Sequence, residues 1–364
     1  MALRRAQVTP SPNHMTTKLI YCAAAAAFAL GLTACDEDND QLIDLEFNDE
    51  QLLVSSNTTA KLVKLQTADL SDVERVDITL PYSDVDGIGL RGTDLLIANR
   101  DDDQLVLLSD VFDGENEDAA DVETRSDVTV TNARGVAVDR ELGGANVVIA
   151  QAGNDDNGGE NKLFRFDANR SDLDLQAEIR VDFQLWGIEW DGDDLIAVMD
   201  QTDSVAVFED FDDAVNTGDS AFLQPTYKFR VEGLTRTHGV AFAQDDDLLF
   251  LTDIGDAGSD TDGAVHVIPN WRAAARGDVD GNEGTLALGR QVRIAGSETF
   301  LGNPVDVAYD DDNNNLFVAE RARDGGRVIA FDMEDISDFL GQTIQRAVIF
   351  NEEVAGAASV EYKD

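Results

Sequence analysis

Residues Gly187 to Phe208 read GIEWDGDDLIAVMDQTDSVAVF. Apolar residues alternate in GIEW, run together in LIAVM and alternate again in SVAVF. The polar pieces DGDD and DQTD separate them. Short apolar runs bounded by Asp and Gly are strand signals, and nothing here repeats at the 3.6-residue period of a helix. The segment is therefore a strand, a tight turn, a second strand, a polar loop and a third strand. Much the same pattern can be laid down six times between residue 50 and the end of the chain.

The first strand of the unit appears as GIGLRG from Gly87, GVAVDR from Gly135, GIEWDG from Gly187, GVAFAQ from Gly239 and DVAYDD from Asp306. The second appears as LLVSS, LLIAN, VVIAQ, LIAVM, LLFLT and LFVAE. The third keeps an apolar pair three residues apart: Leu62/Leu65, Leu105/Leu108, Leu163/Phe166, Val205/Phe208, Val265/Ile268 and Val328/Phe331. A fourth, more polar strand follows each time: VERVDITL, DVTVT, AEIRVD, YKFRVE, QVRIA and QRAVIF. Four strands recurring at a spacing of roughly 40–50 residues are the signature of propeller blades. The expected fold is all-β, a six-bladed β-propeller of four-stranded blades spanning residues 51–364.

First strands number one fewer than the other kinds. The missing one is the end of the chain, because Ser359-Val360-Glu361-Tyr362-Lys363 aligns with Gly187-Ile188-Glu189-Trp190-Asp191. The C-terminal strand is expected to join the N-terminal blade and so close the ring without an open edge at the seam. Three inserts interrupt the rhythm: Phe211–Val215, Asn270–Leu288 with WRAAAR, and Met333–Thr343. They read as short helical pieces decorating the rim.

Residues 1–34 carry Arg4, Arg5 and Lys18, no acids, and an apolar run from Leu19 to Ala34. This is a signal peptide, too short for a membrane span. Its end, Leu32-Thr33-Ala34-Cys35, resembles the bacterial lipobox, which implies cleavage and lipidation of Cys35. Met15 also opens a complete signal. Cys22 lies within the signal, so the mature chain is expected to have neither a free thiol nor a disulfide. Residues 35–50 are an acidic tether. Asp36, Glu37 and Asp38 after the anchor resemble surface-export signals of some bacterial lipoproteins. They also fit inner-membrane retention or a plain solvated spacer. The expected location is the bacterial cell envelope, anchored to a membrane through Cys35 and facing periplasm or exterior.

The formal net charge is −46, and removing residues 1–34 leaves 24 basic and 73 acidic residues, a charge of −49. Such self-repulsion opposes compaction, and salt relieves it: the Debye length falls to about 3 Å at 1 M. Six lysines against 21 arginines fit a high-salt environment, with a calcium-rich surface as the competing reading. A polyanion of this charge excludes nucleic acid as a partner. A monomer is expected.

In a propeller, residues just before each inner strand meet residues just after each second strand, and together they ring the mouth of the central channel. Before the inner strands stand Asp86, Arg134, Trp186, His238, Val305 and Ala358. After the second strands stand Asn57, Asn99, Arg100, Gln151, Asp200, Asp253, Glu320 and Arg321. Convergent polar groups around a concavity, with Trp186 as an aromatic wall, mark this mouth as the expected ligand site. His238 offers acid/base or ligand chemistry there, whereas His266, inside a third strand, reads as a buried, hydrogen-bonded core residue. The acidic loops DIGDAGSDTDG (253–263), GNDDNGGE (153–160) and DVDGNE (278–283) offer oxygen ligands for calcium but lack the full spacing of a helix–loop–helix site. No nucleophile elbow, phosphate loop, dinucleotide fingerprint or zinc-type cluster is present.

The repeated G-(I/V)-A-x-D … L-x-V-A … V-x-x-F pattern resembles six-bladed propellers of the NHL-repeat type. It is also similar to the gluconolactonase/senescence-marker family and to YVTN-type surface repeats. NHL-type members imply a binding scaffold. Gluconolactonase-like members imply lactone or ester hydrolysis with a central divalent metal such as calcium, held by Glu, Asn and Asp. The residues matching those ligand types are Asn99, Asp253 and Glu320, but the Glu-Gly-Pro-x-Trp signature of that family is absent. Two readings follow. One is a lipid-anchored scaffold holding a protein, glycan or small molecule at the mouth. The alternative is a calcium-dependent hydrolase using the same mouth.

Overall fold

A computed structural model describes residues 50–363 apart from 110, 113–118, 141, 142, 144, 170, 216, 217, 219, 244–246, 281 and 282. The described residues belong to one compact unit, Phe47–Asp364. The signal, Cys35 and the tether up to residue 49 lie outside the described residues.

This unit is built from six small sheets in sequence order, antiparallel except where a strand is added from the next blade. Three of them have four strands each. In the first sheet Gln51–Ser56, Lys61–Gln66 and Arg75–Thr79 are joined by Ala357–Lys363. Val54 lies opposite Val360 and Leu53 opposite Glu361, so the last strand of the chain is the inner strand of blade one. Six apolar clusters of described residues seal the ring, each lying between two neighbouring blades. Leu53, Leu62 and Ile78 of blade one meet Ile88, Leu95 and Val106 of blade two. The sixth cluster spans the seam, where Phe317, Ala319 and Val328 of blade six meet Leu52, Val54, Val360 and Tyr362 of blade one. Alternating apolar residues on both faces of each strand thus bury against two blades at once, which only a closed ring allows.

The first strands explain their glycines. A Cβ on Gly87 would stand 2.3 Å from Arg134 O, and one on Gly187 would stand 2.2 Å from His238 O. A Cβ on Gly239 would stand 2.5 Å from the Asp306 Cα. Where these glycines stand, the inner strands approach so closely that a side chain has no room.

Two features differ from expectation. In blade two the fourth strand is Asp121–Arg125, not DVTVT at 127–131. Both segments alternate, but Ser126 ends the ladder: its hydroxyl accepts from Leu105 N and donates to Val128 O. The following residues become the lead into blade three. The inserts also do more than decorate. Ser220–Phe222 leaves blade four to pair in parallel with the outer strand of blade three. Glu283–Leu286 leaves blade five for the outer strand of blade four, and Thr343–Ile344 leaves blade six for that of blade five. Each covers an otherwise open sheet edge of the preceding blade, giving three sheets of five or six strands. WRAAAR forms the helix Trp271–Asp278, whose Trp271 is buried against Phe229 and Leu286. Phe211–Ala214 is a single α-helical turn, and Ile336–Phe339 a 3-10 turn.

Candidate functional site

The mouth geometry follows from one hydrogen bond repeated in every blade. The residue after the second strand donates its N–H to the carbonyl three residues before the axial position of the inner strand. The six bonds are Asn57→Gly356, Arg100→Asp84, Ala152→Asn132, Asp200→Gln184, Ile254→Arg236 and Arg321→Asn303, at 2.9–3.2 Å. They fix the two sets of predicted mouth residues beside each other around the ring.

Within that frame, six predicted residues form one continuous array across blades two to five. Asp86 accepts from Arg134 Nη1 at 2.5 Å and from Arg100 Nη1 at 3.4 Å. The Arg134 guanidinium lies 3.9 Å from the Trp186 ring centroid. Trp186 stacks on His238, with centroids 3.6 Å apart and planes 4° from parallel. His238 Nε2–H donates to Asp200 Oδ1 at 3.1 Å. Arg236, which sequence reasoning missed, clamps Asp200 through Nε at 2.6 Å and Nη2 at 3.0 Å. Burial alone would raise the Asp200 pKa, but the bonds from His238 and Arg236 outweigh it and hold the carboxyl below the usual range. Burial pushes His238 down, against the pull of Asp200. Its Nδ1 has no partner among the described residues.

This array is closed upon itself. With a guanidinium over one face and an imidazole on the other, Trp186 has no face left for a sugar or planar ring. Val305 and Ala358, at the equivalent positions of blades six and one, are buried and apolar.

The remaining predicted residues fasten loops. Gln151 Nε2 donates to Glu160 O at 3.0 Å, and Asn99 Oδ1 accepts from Asp101 N at 3.1 Å. Asp253 Oδ1 accepts from the N–H groups of Thr235, Arg236 and Gly255. Glu320 accepts from those of Gly302, Asn303, Ala322 and Arg323. In each case a carboxylate at the end of a second strand ties the entry of the inner strand to its own following turn. Asn99, Asp253 and Glu320 do not fit a shared divalent ion: Asn99 Oδ1, Asp253 Oδ1 and both Glu320 oxygens serve backbone amides, and Asp253 Oδ2 faces His266 Nε2 at 3.6 Å. Among the described residues no group of three or more His, Cys, Asp or Glu is placed to hold a metal. In the acidic loop 253–263, Asp256 and Asp262 also bond to backbone N–H groups. The 153–160 loop is organised by Asn154, Asn157 and Asn161 rather than by its aspartates. Arg321 is exposed, and among the described residues its side chain makes no ion pair. His266 is fully buried, and its Nδ1–H donates to Gln291 Oε1 at 2.5 Å.

A cavity of about 410 Å³ lies at the opposite end of the axis. Between it and the mouth, the axial residues leave a constriction of about 30 Å³, room for a single water. The cavity wall includes Glu189, Trp190, Phe242, Tyr309, Glu361 and Tyr362. Glu189 belongs to blade four and Glu361 to blade one, which face each other across a six-membered ring. Arg140 Nη2 donates to Glu361 Oε2 at 2.8 Å, while among the described residues Glu189 accepts only from Trp190 N at 3.1 Å. Burial pushes both carboxyls above their ordinary range, and the mutual repulsion of the pair adds to it for Glu189. Asp306 at the constriction is pushed up to about 7 by burial, against the stabilising bonds from the Ser359 hydroxyl and Val360 N. Sequence reasoning passed over these carboxylates although the signal was present. Two residues beyond the axial position the six blades carry Gly89, Ala137, Glu189, Ala241, Ala308 and Glu361. Two glutamates stand in a column of Gly and Ala.

No family model matches the sequence, and no curated protein matches it. Solved structures share its fold. One is a nidogen/laminin complex, in which the matching chain is 14% identical with a TM-score of 0.54; the match covers 86% of this chain and 98% of that one. A protein of unknown function from Bacteroides caccae is 10% identical with a TM-score of 0.50, over 86% of this chain and 99% of that one. At these identities the likeness is one of architecture. Fold and comparison together define a six-bladed β-propeller.

Proposed function

We propose that this propeller is a non-enzymatic interaction scaffold of the bacterial cell envelope, held to a membrane by lipid on Cys35, that docks an acidic protein segment on its mouth face. The observation that carries this reading is the mouth itself. Its polar groups are mutually paired into a rigid, filled surface rather than an open pocket, and Arg100, Arg134, Arg236 and Arg321 gather there. Arg100, Arg134 and Arg236 balance Asp84, Asp86 and Asp200 there, and the exposed Arg321 is left to meet a carboxylate of the partner. Planar guanidinium groups suit bidentate recognition of carboxylates. High salt, which the composition fits, screens the repulsion between two acidic bodies at a distance but leaves close pairs. The matching nidogen chain was solved in a complex with laminin, so this architecture supports protein docking in that case.

A photo-crosslinking residue at position 321, in intact cells, is expected to give a discrete membrane-associated protein adduct. The adduct should be lost on Arg100→Glu, and the same residue at position 312, on the cavity face, should give none. An adduct from 312 and not from 321 would refute the assignment of the face.

A further inference from the structure

We propose that the axial cavity opposite the mouth is a binding site for a small organic ammonium ion. The site goes beyond mouth-face docking and is separated from it by the axial constriction. Its volume of about 410 Å³ falls in the range of small-molecule pockets. Glu189 and Glu361 project into it from opposed blades, and its described lining also holds Asp139, Arg140, Asp311 and Asp312. Arg140 is committed to Glu361. Glu189 has no ion pair among the described residues and accepts one backbone N–H, from Trp190.

Acidity alone is common in this chain, and two further features set the cavity apart. Trp190, Phe242, Tyr309 and Tyr362 line it, and aromatic walls beside carboxylates attract organic cations, which shed water more readily than metal ions. Trp190 is 6% exposed, and its indole Nε1 has no partner among the described residues. A buried donor of this kind is costly without an acceptor, and an alcohol or ether oxygen on the ligand would supply one. The inferred ligand therefore carries an ammonium head and an oxygen acceptor a few atoms away. A bare divalent ion satisfies neither the aromatic wall nor the indole.

The test is titration calorimetry of the full-length protein with choline, with 3,3-dimethylbutanol as its uncharged isostere. Choline is expected to bind and the isostere to bind at least tenfold more weakly. Glu189→Gln keeps the size of the side chain and its bond from Trp190 N, and should weaken choline at least tenfold. Arg140→Gln removes the competing cation and should tighten choline severalfold, a gain that a misfolded variant cannot mimic. Absence of choline binding, equal binding of choline and isostere, or Glu189→Gln and Arg140→Gln both leaving the affinity unchanged would each overturn the proposal.

Discussion

Gly187→Ala is expected to destabilise the propeller by about 3 kcal/mol or more, far beyond what one methyl group does on a surface. The added Cβ would stand 2.2 Å from His238 O, a backbone atom of the next inner strand that no rotamer change can move. The same carbonyl accepts from Gly187 N at 3.0 Å, so relieving the clash stretches a buried hydrogen bond. Inner strands four and five must part, and the stacking of Trp186, the neighbour of Gly187, on His238 is lost. Gly289→Ala is the control. A Cβ there meets nothing within 4 Å, and Ala should leave stability unchanged or slightly raised by restricting the unfolded chain. Urea titration of both variants measures the difference. Equal midpoints would show that the inner strands are not in contact at the axis.

Glu189→Gln is expected to stabilise the protein above neutral pH, by about 1–3 kcal/mol at pH 8.5, and to do little at pH 4.5. Burial, followed by the charge of Glu361, raises the Glu189 carboxyl above its unfolded value. The native state therefore binds a proton that the unfolded state releases first. The stability this provides is fully present below the unfolded value near pH 4.5. It is lost as pH rises through the raised native value, where an anion must form in a desolvated site beside Glu361. Gln has no such titration and still accepts the bond from Trp190 N. Asp306 and Glu361 contribute slopes of the same sign, so the variant keeps part of the dependence. Melting temperatures of both proteins across pH 4.5–8.5 test this. Parallel curves, or a variant less stable at pH 8.5, would contradict it. A side chain that lowers stability where it stands is the mark of a group retained for binding.

Much of this was legible because a repeat states its rule six times. The axial glycines, the apolar pair of each third strand and the alignment of Ser359–Lys363 with Gly187–Asp191 each follow from period and alternation. DVTVT was misplaced because DVETR alternates equally well, and only pairing with Gln104–Ser109 decides between them. The adjacency of the two sets of mouth residues follows from blade geometry, through the repeated bond from the second strand to the inner-strand entry. Their partners were not legible. Which carboxylate meets a guanidinium and which meets backbone amides depends on side-chain direction, and so Asp253 and Glu320 read as candidate ligands. Arg236 was passed over because it lies two residues before His238, off the position being compared. Glu189 and Glu361 required comparing a column across blades rather than reading along a strand.

Everything rests on the chain's last strand closing the ring. Val54 and Val360 are direct partners in the antiparallel pair Gln51–Ser56 and Ala357–Lys363, where opposed Cα atoms stand about 4.5–5.5 Å apart, within disulfide reach. In a chain with Cys22 and Cys35 replaced by Ser, Val54→Cys and Val360→Cys should form an intramolecular disulfide on mild oxidation, visible as faster migration on a non-reducing gel. Two thiols that both remain reactive toward maleimide in the folded protein would mean that the ends do not meet.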